Sequence, residues 1–445
     1  MTRRPSVLWF RRDLRLIDHT ALQRACAEGP VLPLFIVDPA FDRAGERRRA
    51  VMGEMLRSLD RQLGGSLVVR RGDPAQVVAE VANAVGAAEV HVTRDHAPYG
   101  HRRDAAVAEA LRSVGCRLVG TGTNLVLAPG SVTKDDGGSY SVFTPFRRRW
   151  STVRASVASP LAPAPTDTEW VTLDGLDLAS NGPWGLAVDD LVVDQAMVHT
   201  DTASALKRWE AFRHSGLPSY GEDRDRPSID GTSGLSSALR FGLVHPARLL
   251  ADLEPGNPSH DVFESELAWR DFYADVLFRR PDSAWANLDR RLDRIALDTD
   301  ASAHERFRRW CEGTTGFPIV DAGMRQLAAM GWMHNRVRMI TASFLVKDLH
   351  LPWQWGARWF LTHLVDGDIA SNNHGWQWAA GTGTDAAPYF RVFNPTAQAE
   401  RFDPDGAYRA RWLPELDTGR YPAPMVDHAA ERAEALRRYE AARAS

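Results

Sequence analysis

Residues 31–38 read VLPLFIVD, an apolar run of strand length that ends in an aspartate. Four similar runs lie between residues 6 and 127: SVLWF (6–10), SLVVRRG (66–72), EVHVTRD (89–95) and CRLVGTGTNLVL (116–127). Apolar side chains at helical spacing separate them, at Val51, Met55, Leu59 and Leu63 and at Val77, Val81 and Val85. Alternating strands and helices are typical of a parallel α/β sheet with right-handed crossovers. The sequence therefore predicts such a Rossmann-like domain over residues 1–128.

The turn after the first strand distinguishes this domain from the common dinucleotide-binding folds. Between Trp9 and Asp18 the chain has no glycine. Pyrophosphate bound at such a turn needs glycines, because the backbone must approach it closely. A nicotinamide cofactor is therefore not predicted.

A chain of 445 residues is too long to be organised by one hydrophobic core, so at least one further domain is expected. Residues 129–205 are rich in proline and glycine and weakly periodic, which predicts an inter-domain linker. In it, Thr144 and Pro145 predict the N-cap and first-turn proline of one short helix. Residues 206–445 carry helical patterns and predict an all-α domain that ends in a surface helix.

Charge and cysteine content restrict the function classes. A net charge of −3 argues against coating nucleic acid through bulk charge, although it is compatible with a local basic groove. Cys26, Cys116 and Cys311 form no CxxC pair, so neither disulfides nor a metal site are predicted, and a reducing cytoplasm fits. The N-terminus is not typical of a signal peptide, and no apolar stretch reaches the roughly 20 residues that span a bilayer.

The strongest indication of a functional site is LTHLVDGDIASNNHGWQWAAGTGTDAAPYFRVFNP, residues 361–395. A core helix would carry leucines here, but this helix-compatible stretch carries carboxylates, amides and indoles. They are Asp366, Asp368, Asn372, Asn373, Trp376 and Trp378. Such a concentration of polar and aromatic groups indicates a site.

A second motif is Tyr220 followed by RDRPSIDGTSGLSSAL (224–239). Thr232 and Ser233 lie where a helix is predicted to begin. Hydroxyls and unpaired N–H groups at a helix start bind phosphate, although such a start alone is usually only a cap.

Two further motifs group side chains on helices. FESELAWRDFY (263–273) places Glu266, Trp269 and Arg270 around one point, and GWMHNRVRMITASF (331–344) places Asn335 and Met339 one turn apart. Taken alone, the first trio is more often a surface salt bridge beside a ring, and a lone methionine more often fills a gap in the core.

Together with SVLWFRRDLRLIDHTAL (6–22), these motifs resemble those of the DNA photolyase and cryptochrome family, closest to its class I cyclobutane-dimer branch. The resemblance spans nearly the full chain and is densest over residues 206–416. It implies an α/β domain, a helical FAD-binding domain, and light-driven repair of cyclobutane pyrimidine dimers. In that reaction excited reduced FAD passes an electron to a dimer flipped out of UV-damaged DNA.

The resemblance implies a set of FAD contacts. They are Tyr220, Thr232, Ser233, Gly234, Leu235, Ser236, Arg270, Asn335, Arg338, Asp366, Gly367, Asp368 and Asn372. In this pattern Arg338 pairs with Asp366, and Asn372 faces flavin N5, where asparagine suits the fully reduced ring. Gly234 departs from the family, which commonly has arginine there, so Arg270 is expected to carry more of the phosphate contact.

The resemblance also implies residues for the lesion and the DNA strand. The catalytic set is Glu266, Trp269, Asn335, Met339, Asn372 and Trp378, in which Glu266 hydrogen-bonds the damaged base and the two tryptophans form the pocket walls. The DNA contacts are Arg224, Arg226, Glu266, Trp269, Arg336, Arg391 and Arg401.

An electron relay is implied from Trp376 through Trp353, but its third member is unassigned. Leu297 occupies the position where the family has a surface tryptophan. Four tryptophans are candidates for the role: Trp285, Trp310, Trp355 and Trp359.

An antenna chromophore is also expected. APYGHRRD (97–104) resembles the branch that binds 8-hydroxy-5-deazaflavin and lacks the Asn-Glu pair of the branch that binds methenyltetrahydrofolate. The alternative is a charged, solvated helix start.

Three functions are compared. Asn372, Met339 and Trp269 favour a repair enzyme over a cryptochrome-like photoreceptor. A monomer is expected. A flavin oxidoreductase acting on small molecules is less favoured, because no nicotinamide motif is found.

Overall fold

The computed structural model describes residues 4–176, 182–184, 198–385 and 391–444, so residues 177–181 and 185–197 of the predicted linker lie outside the described residues. The N-terminal part is a five-stranded parallel sheet of order β3-β2-β1-β4-β5. Its strands are β1 Ser6–Phe10, β2 Val31–Val37, β3 Val68–Arg71, β4 Glu89–Val92 and β5 Arg117–Gly120. Its helices are α1 Thr20–Glu28, α2 Glu46–Gln62, α3 Pro74–Ala84 and α4 Pro98–Ser113.

Helices cover both faces of this sheet, which explains why its strands read as unbroken apolar runs. Leu8 and Phe10 of β1 join the core cluster that contains α1 and α2, whereas Val7 and Trp9 join the cluster of α3 and α4. All five predicted strands are present, but the fifth ends at Gly120. The apolar residues that follow it leave the sheet, because the N–H groups of Val126 and Leu127 donate to the Asp271 carboxylate instead.

The predicted short helix is longer than expected and is packed in the core. Helix α5 spans Phe143–Ser156. The assignment of Thr144 as N-cap is wrong, because the helix begins at Phe143 after Val142, which makes no side-chain cap, whereas Pro145 lies in the first turn as predicted. Proline is tolerated at the third helical position, since that N–H has no intrahelical partner. The linker boundaries at 128 and 205 stay predictions.

In the remaining part of the chain that the structure describes, the further elements are helices. They are α6 Thr202–Ser215, α7 Tyr220–Asp223, α8 Ser236–Phe241, α9 Pro246–Ala251, α10 Pro258–Arg279, α11 Ala301–Glu312, α12 Pro318–Met330, α13 Asn335–Ser343, α14 Trp353–His363, α15 Ile369–Ala380, α16 Pro395–Phe402, α17 Ala407–Trp412 and α18 His428–Ala444. Short 3-10 turns and a π-helical turn, Phe344–Asp348, complete this part. None of the helices that the structure describes is long and apolar enough to cross a membrane.

The sheet contacts the helical part at its carboxyl edge, where the strand order reverses between β1 and β4. Arg12, after β1, lies 2.7 Å from Asp95, after β4, and 3.3 Å from Asp368. Asp368 also caps α15 by accepting from the N–H groups of Ala370 and Ser371. Crevices at such a reversal are where open α/β sheets bind ligands.

A buried histidine on α15 makes folding pH-dependent. Nδ1 of His374 lies 2.8 Å from the carbonyl oxygen of Ala370, and Nε2 lies 2.9 Å from Ser283 Oγ. Burial lowers the pKa of His374 to about 4. Below about pH 6.5 the unfolded chain takes up a proton here that the folded protein does not, so stability falls as the pH falls from 6.5 towards 4.

We expect this histidine to remove about 2 kcal/mol from the free energy of unfolding between pH 6.5 and pH 5. Urea unfolding at the two pH values measures the difference. His374→Asn should show a smaller pH-dependent loss than the unsubstituted protein, whatever its absolute stability. An equal loss in the two proteins would contradict the assignment.

Candidate active site

Helices α8, α10, α13, α14 and α15 surround a cavity of about 660 Å³, a size that suits a large organic ligand. Most of the predicted site residues line it. They are Arg224, Ser236, Glu266, Trp269, Arg270, Asn335, Arg338, Met339, Asp366, Gly367, Asp368, Asn372, Trp376, Trp378 and Arg391. Four motifs that are far apart in the sequence therefore meet at one place.

One wall of the cavity carries an ion pair whose carboxylate is buried. Nη2 of Arg338 lies 2.9 Å from Asp366 Oδ2, as predicted, and Nε donates to the carbonyl oxygen of Met333. The other carboxylate oxygen, Asp366 Oδ1, is buried and has no hydrogen-bond partner. Buried acceptors are rarely left unpaired. A ligand with an N–H group at this point would satisfy it.

The orientation of the Asn372 amide follows from its neighbours. Asn373 donates through Nδ2 to the carbonyl oxygen of Ala284, so its Oδ1 must accept. It accepts from Asn372 Nδ2 at 2.8 Å, and that same nitrogen also donates to the carbonyl oxygen of Ala357. The group that Asn372 offers a ligand is therefore its carbonyl oxygen. Such an oxygen accepts a hydrogen bond and supplies no proton.

Positive charge collects at the end of the cavity nearest the sheet. Arg270 donates to the carbonyl oxygens of Asn124 and Leu239, and Arg240 lies 3.8 Å from Asp368 with its Nη1 buried and unpartnered. Burial, and then repulsion by Arg12, lowers the pKa of Arg240 to about 9. The two guanidinium groups and the free Nη1 donor of Arg240 fit an anion such as a diphosphate.

The cavity's other half is aromatic. The Trp269 ring stacks on Phe143 of α5, with centroids 3.7 Å apart and planes 11° apart. This contact fixes one face of the Trp269 indole. Nearby, Glu266 forms an ion pair of 2.6 Å with Arg224, and Trp378 lies beside Phe393 at 6.3 Å.

Several predicted residues do not line the cavity. They are Tyr220, Thr232, Ser233, Gly234, Leu235, Trp353, Arg226, Arg336 and Arg401. Helix α8 begins only at Ser236, after a loop in which Arg208 holds the carbonyl oxygens of Thr232 and Ser233. Gly234 has a φ of +68°, a conformation that favours glycine, which gives a backbone reason for its departure from the family pattern.

The three predicted arginines that do not line the cavity contact carboxylates or an aromatic ring instead. Arg226 is 3.5 Å from Asp223, and Arg336 is 2.5 Å from Asp225. Arg336 and Arg401 both lie against the Phe402 ring, at 4.4 and 5.0 Å from its centroid. They form a basic pair on α13 and α16.

The structure adds lining residues that the motifs did not predict. They are Leu239, Arg240, Tyr273, Ala342, Phe360, Leu364, Ser371, Gly375 and Asp385. Helical spacing offered a signal for some of them, since Arg240 follows Ser236 by four residues and Tyr273 follows Trp269 by four. Phe143, behind Trp269, offered no such signal.

Within the described ranges, no group of three or more His, Cys, Asp or Glu side chains is placed to hold a metal ion.

Comparisons with known proteins agree with this geometry. A family model for DNA photolyase matches residues 6–166, and one for the FAD binding domain of DNA photolyase matches residues 263–419. The chain is 38% identical to the deoxyribodipyrimidine photo-lyase of Salmonella typhimurium over 98% of each chain.

Two solved structures extend the comparison. A class III photolyase from Agrobacterium tumefaciens has a TM-score of 0.88 and 34% identity, covering 100% of this chain and 99% of that one. An archaeal photolyase from Sulfolobus tokodaii, solved with two FAD molecules, has a TM-score of 0.81 and 29% identity over 98% and 100% of the chains.

The chain belongs to the DNA photolyase family. The predictions of the family, of the α/β plus all-α fold class, of FAD as cofactor and of a DNA-repair lyase driven by light are confirmed. The unpaired Asp366 oxygen and the free Arg240 donor show that the residues present fit FAD.

Proposed function

We propose that this enzyme splits cyclobutane pyrimidine dimers in DNA inside the 660 Å³ cavity, which holds FAD and the flipped dimer side by side. The observation that carries the proposal is the division of one cavity into a polar half, with unsatisfied hydrogen-bonding groups, and an aromatic half. When bound, reduced FAD would supply the light-driven electron that allows the two C–C bonds of the cyclobutane ring to break.

The polar half holds the cofactor. Asp366 Oδ1 and the carbonyl oxygen of Asn372 would accept N–H groups of the flavin ring, and the ion pair with Arg338 holds Asp366 in place. Arg240, Arg270 and Ser236 line the end of the cavity that would hold the diphosphate. Because Asn372 presents only its carbonyl oxygen to the cavity, it would not protonate a bound flavin.

The aromatic half receives the lesion. Flipping a dimer out of the duplex costs a few kcal/mol, and less than for an intact pair, because the dimer already stacks and pairs badly. Stacking on Trp269 and Trp378 returns about 1 to 3 kcal/mol per base. Glu266 accepts a hydrogen bond from the base edge, and Met339 packs against the pyrimidines beside Asn335.

The direct test is repair itself. A purified preparation is mixed with an oligonucleotide that carries one thymine dimer, and intact thymines are measured by chromatography after blue light and after darkness. We expect dimers to disappear only in the light. Persistence of the dimers would contradict the proposal and favour a photoreceptor, and dark turnover would point to other flavin chemistry.

The DNA strand is held outside the cavity by arginines. Arg391 lies at the cavity and Arg336 and Arg401 flank Phe402, so phosphates on both sides of a flipped dimer have cationic partners. Arg224 and Arg226 extend this surface. Phosphate contacts give affinity without sequence preference and weaken as salt is added.

Arg401 is the sharpest test of this surface, because no carboxylate among the described residues lies within ion-pair distance of it. We expect Arg401→Ala to weaken binding to damaged and undamaged DNA equally and to lower the slope of log affinity against log salt by about 1. Anisotropy titrations at several salt concentrations measure the slope. Arg437→Ala, on the exposed face of α18, is the control. A loss of affinity confined to damaged DNA would contradict the assignment of Arg401 as a phosphate contact.

An antenna chromophore bound near residues 97–104 completes the proposal, with 8-hydroxy-5-deazaflavin favoured over methenyltetrahydrofolate. Tyr99 is exposed at the start of α4, and Arg103 lies 5.0 Å over the Trp9 ring. The absorption spectrum of the purified protein identifies the chromophore. We further propose a cytoplasmic monomer, which is compatible with the three free cysteines. Size-exclusion chromatography with light scattering tests the monomer.

A further inference from the structure

A carboxylate that the proposed function does not use lies beside the aromatic half of the cavity. Asp385 lines the cavity together with Trp269 and Trp378. Its backbone has a φ of +57°, in the left-handed region that glycine adopts most freely and that aspartate and asparagine tolerate better than other side chains. Glycine would suit this backbone better, so the carboxylate at this position needs a reason beyond the turn.

The loop that leads to Asp385 is fixed to the end of α15, the helix that carries Trp378. The N–H groups of Thr382 and Gly383 both donate to the carbonyl oxygen of Gln377, at 2.9 and 3.1 Å. A Cβ atom at Gly383 would lie 2.9 Å from the Cβ atom of Gln377, so glycine alone fits here without movement of the backbone. The position of Asp385 is therefore set relative to Trp378.

Asp385 also contacts the start of α5, through both its backbone and its side chain. Its N–H donates to the carbonyl oxygen of Ser141 at 3.3 Å, and its carboxylate accepts from the N–H of Phe143, the first residue of α5. The first N–H groups of a helix have no intrahelical partner, and the side chain of Val142 does not cap this helix. Asp385 thus supplies the acceptor that the start of α5 lacks.

These contacts join the two tryptophans that are predicted to form the lesion pocket. Phe143, which Asp385 holds, stacks on Trp269 with a centroid distance of 3.7 Å. Trp378 lies on the helix whose end carries the Asp385 loop. A continuous set of contacts therefore runs from one tryptophan through Asp385 to the other, although the two tryptophans belong to different helices.

On the basis of the proposed function, we propose that Asp385 is a positioning residue that sets the spacing of Trp269 and Trp378 and so favours the dimer over undamaged bases. Without its carboxylate, Phe143 is no longer held behind Trp269, and this side of the pocket becomes mobile. A mobile side chain must be ordered when the dimer binds, which lowers affinity. Phosphate contacts lie outside the pocket, so affinity for undamaged DNA is unaffected.

Two substitutions in the FAD-loaded protein separate the hydrogen bond from the backbone and the charge. Asp385→Asn removes the charge but keeps an acceptor and tolerates the left-handed backbone. Asp385→Gly keeps the backbone and removes the acceptor. Asp300→Gly is the control, because Asp300 accepts from the N–H of Ala303 at the start of α11 and does not line the cavity.

Three measurements are compared. Hydrogen exchange at the Phe143 N–H, in protein without DNA, reports the contact itself. Anisotropy titrations in the dark give affinities for matched oligonucleotides with and without a dimer. Repair per absorbed photon at saturating DNA reports the chemistry of dimer that is already bound.

We expect Asp385→Gly to retain FAD, to exchange the Phe143 N–H faster and to bind dimer DNA about 10-fold more weakly, within the range for one hydrogen bond to a charged group. Its affinity for undamaged DNA and its repair per photon at saturation should be unchanged, since Glu266 and the FAD contacts are intact. Asp385→Asn should restore slow exchange and most of the affinity. Asp300→Gly should match the unsubstituted protein in all three measurements.

Unchanged dimer affinity in Asp385→Gly overturns the proposal, and so does an equal loss in Asp385→Asn, which would assign the effect to charge. Rapid exchange of the Phe143 N–H in the unsubstituted protein also overturns it, and this result needs no variant to fold. Absence of light-dependent repair in the unsubstituted protein would contradict the proposed function instead.

Discussion

Replacing Glu266 with alanine is expected to leave FAD bound and to remove most of the preference for dimer-containing DNA. Glu266 lies in the aromatic half of the cavity, and its partner there is Arg224, at 2.6 Å. Loss of a hydrogen bond from a charged group costs about 1.5 to 3 kcal/mol, which is about 10- to 150-fold in affinity for the flipped base.

The freed Arg224 makes this substitution informative. Without Glu266, its guanidinium attracts phosphates regardless of lesion, so affinity for undamaged DNA should stay equal or rise while affinity for dimer DNA falls. Anisotropy titrations in the dark with matched oligonucleotides measure both affinities, and the repair yield per absorbed photon should fall in parallel.

A matched control lies two residues away on the same helix. Glu264 forms a 2.9 Å ion pair with Arg154 and does not line the cavity. Glu264→Ala should therefore change neither discrimination nor yield. An unchanged quantum yield in Glu266→Ala, or loss of FAD from it, would refute the role assigned to Glu266.

The sequence predicts some parts of the fold better than others. The strands of the sheet were predictable because burial on both faces leaves unbroken apolar runs, as in VLPLFIVD. The end of the fifth strand was not, since the apolar run Leu125–Val126–Leu127 that follows looks like a continuation of the strand. Their backbone leaves the sheet to meet Asp271, a carboxylate about 145 residues further along the chain.

The candidate site was likewise predictable from the sequence only in part. Glu266, Trp269 and Asp366 were predictable because each sits in a motif whose residue types do not suit a plain core helix. Phe143 was not, because it reaches Trp269 from a segment that the sequence presents as linker. Local sequence patterns predict which residues face the cavity. The residues that pack behind them, such as Phe143, come from segments far away in the sequence, and local patterns do not predict these.

Asp366→Ala is expected to yield protein that folds but does not retain FAD. Asp366 is buried, pairs with Arg338 at 2.9 Å, and has one oxygen left for a ligand. The substitution removes that acceptor, which weakens FAD binding by about 1.5 to 3 kcal/mol. It also leaves Arg338 unpaired in the cavity wall, and loss of one partner of a buried pair costs about 3 to 5 kcal/mol. Arg338 is partly exposed, so the lower end of that range applies.

Loss of cofactor and loss of fold can be separated by comparing stability with and without FAD. A ligand that binds only the folded state raises the unfolding temperature by an amount that grows with the logarithm of its affinity. Added FAD should therefore raise the unfolding temperature of the unsubstituted apoprotein but not that of Asp366→Ala. Glu415→Ala is the control, because it breaks a 2.6 Å ion pair with Arg325 away from the cavity. It should lose some stability and keep its FAD. An Asp366→Ala protein that purifies with a full complement of FAD would show that the cofactor does not depend on this carboxylate.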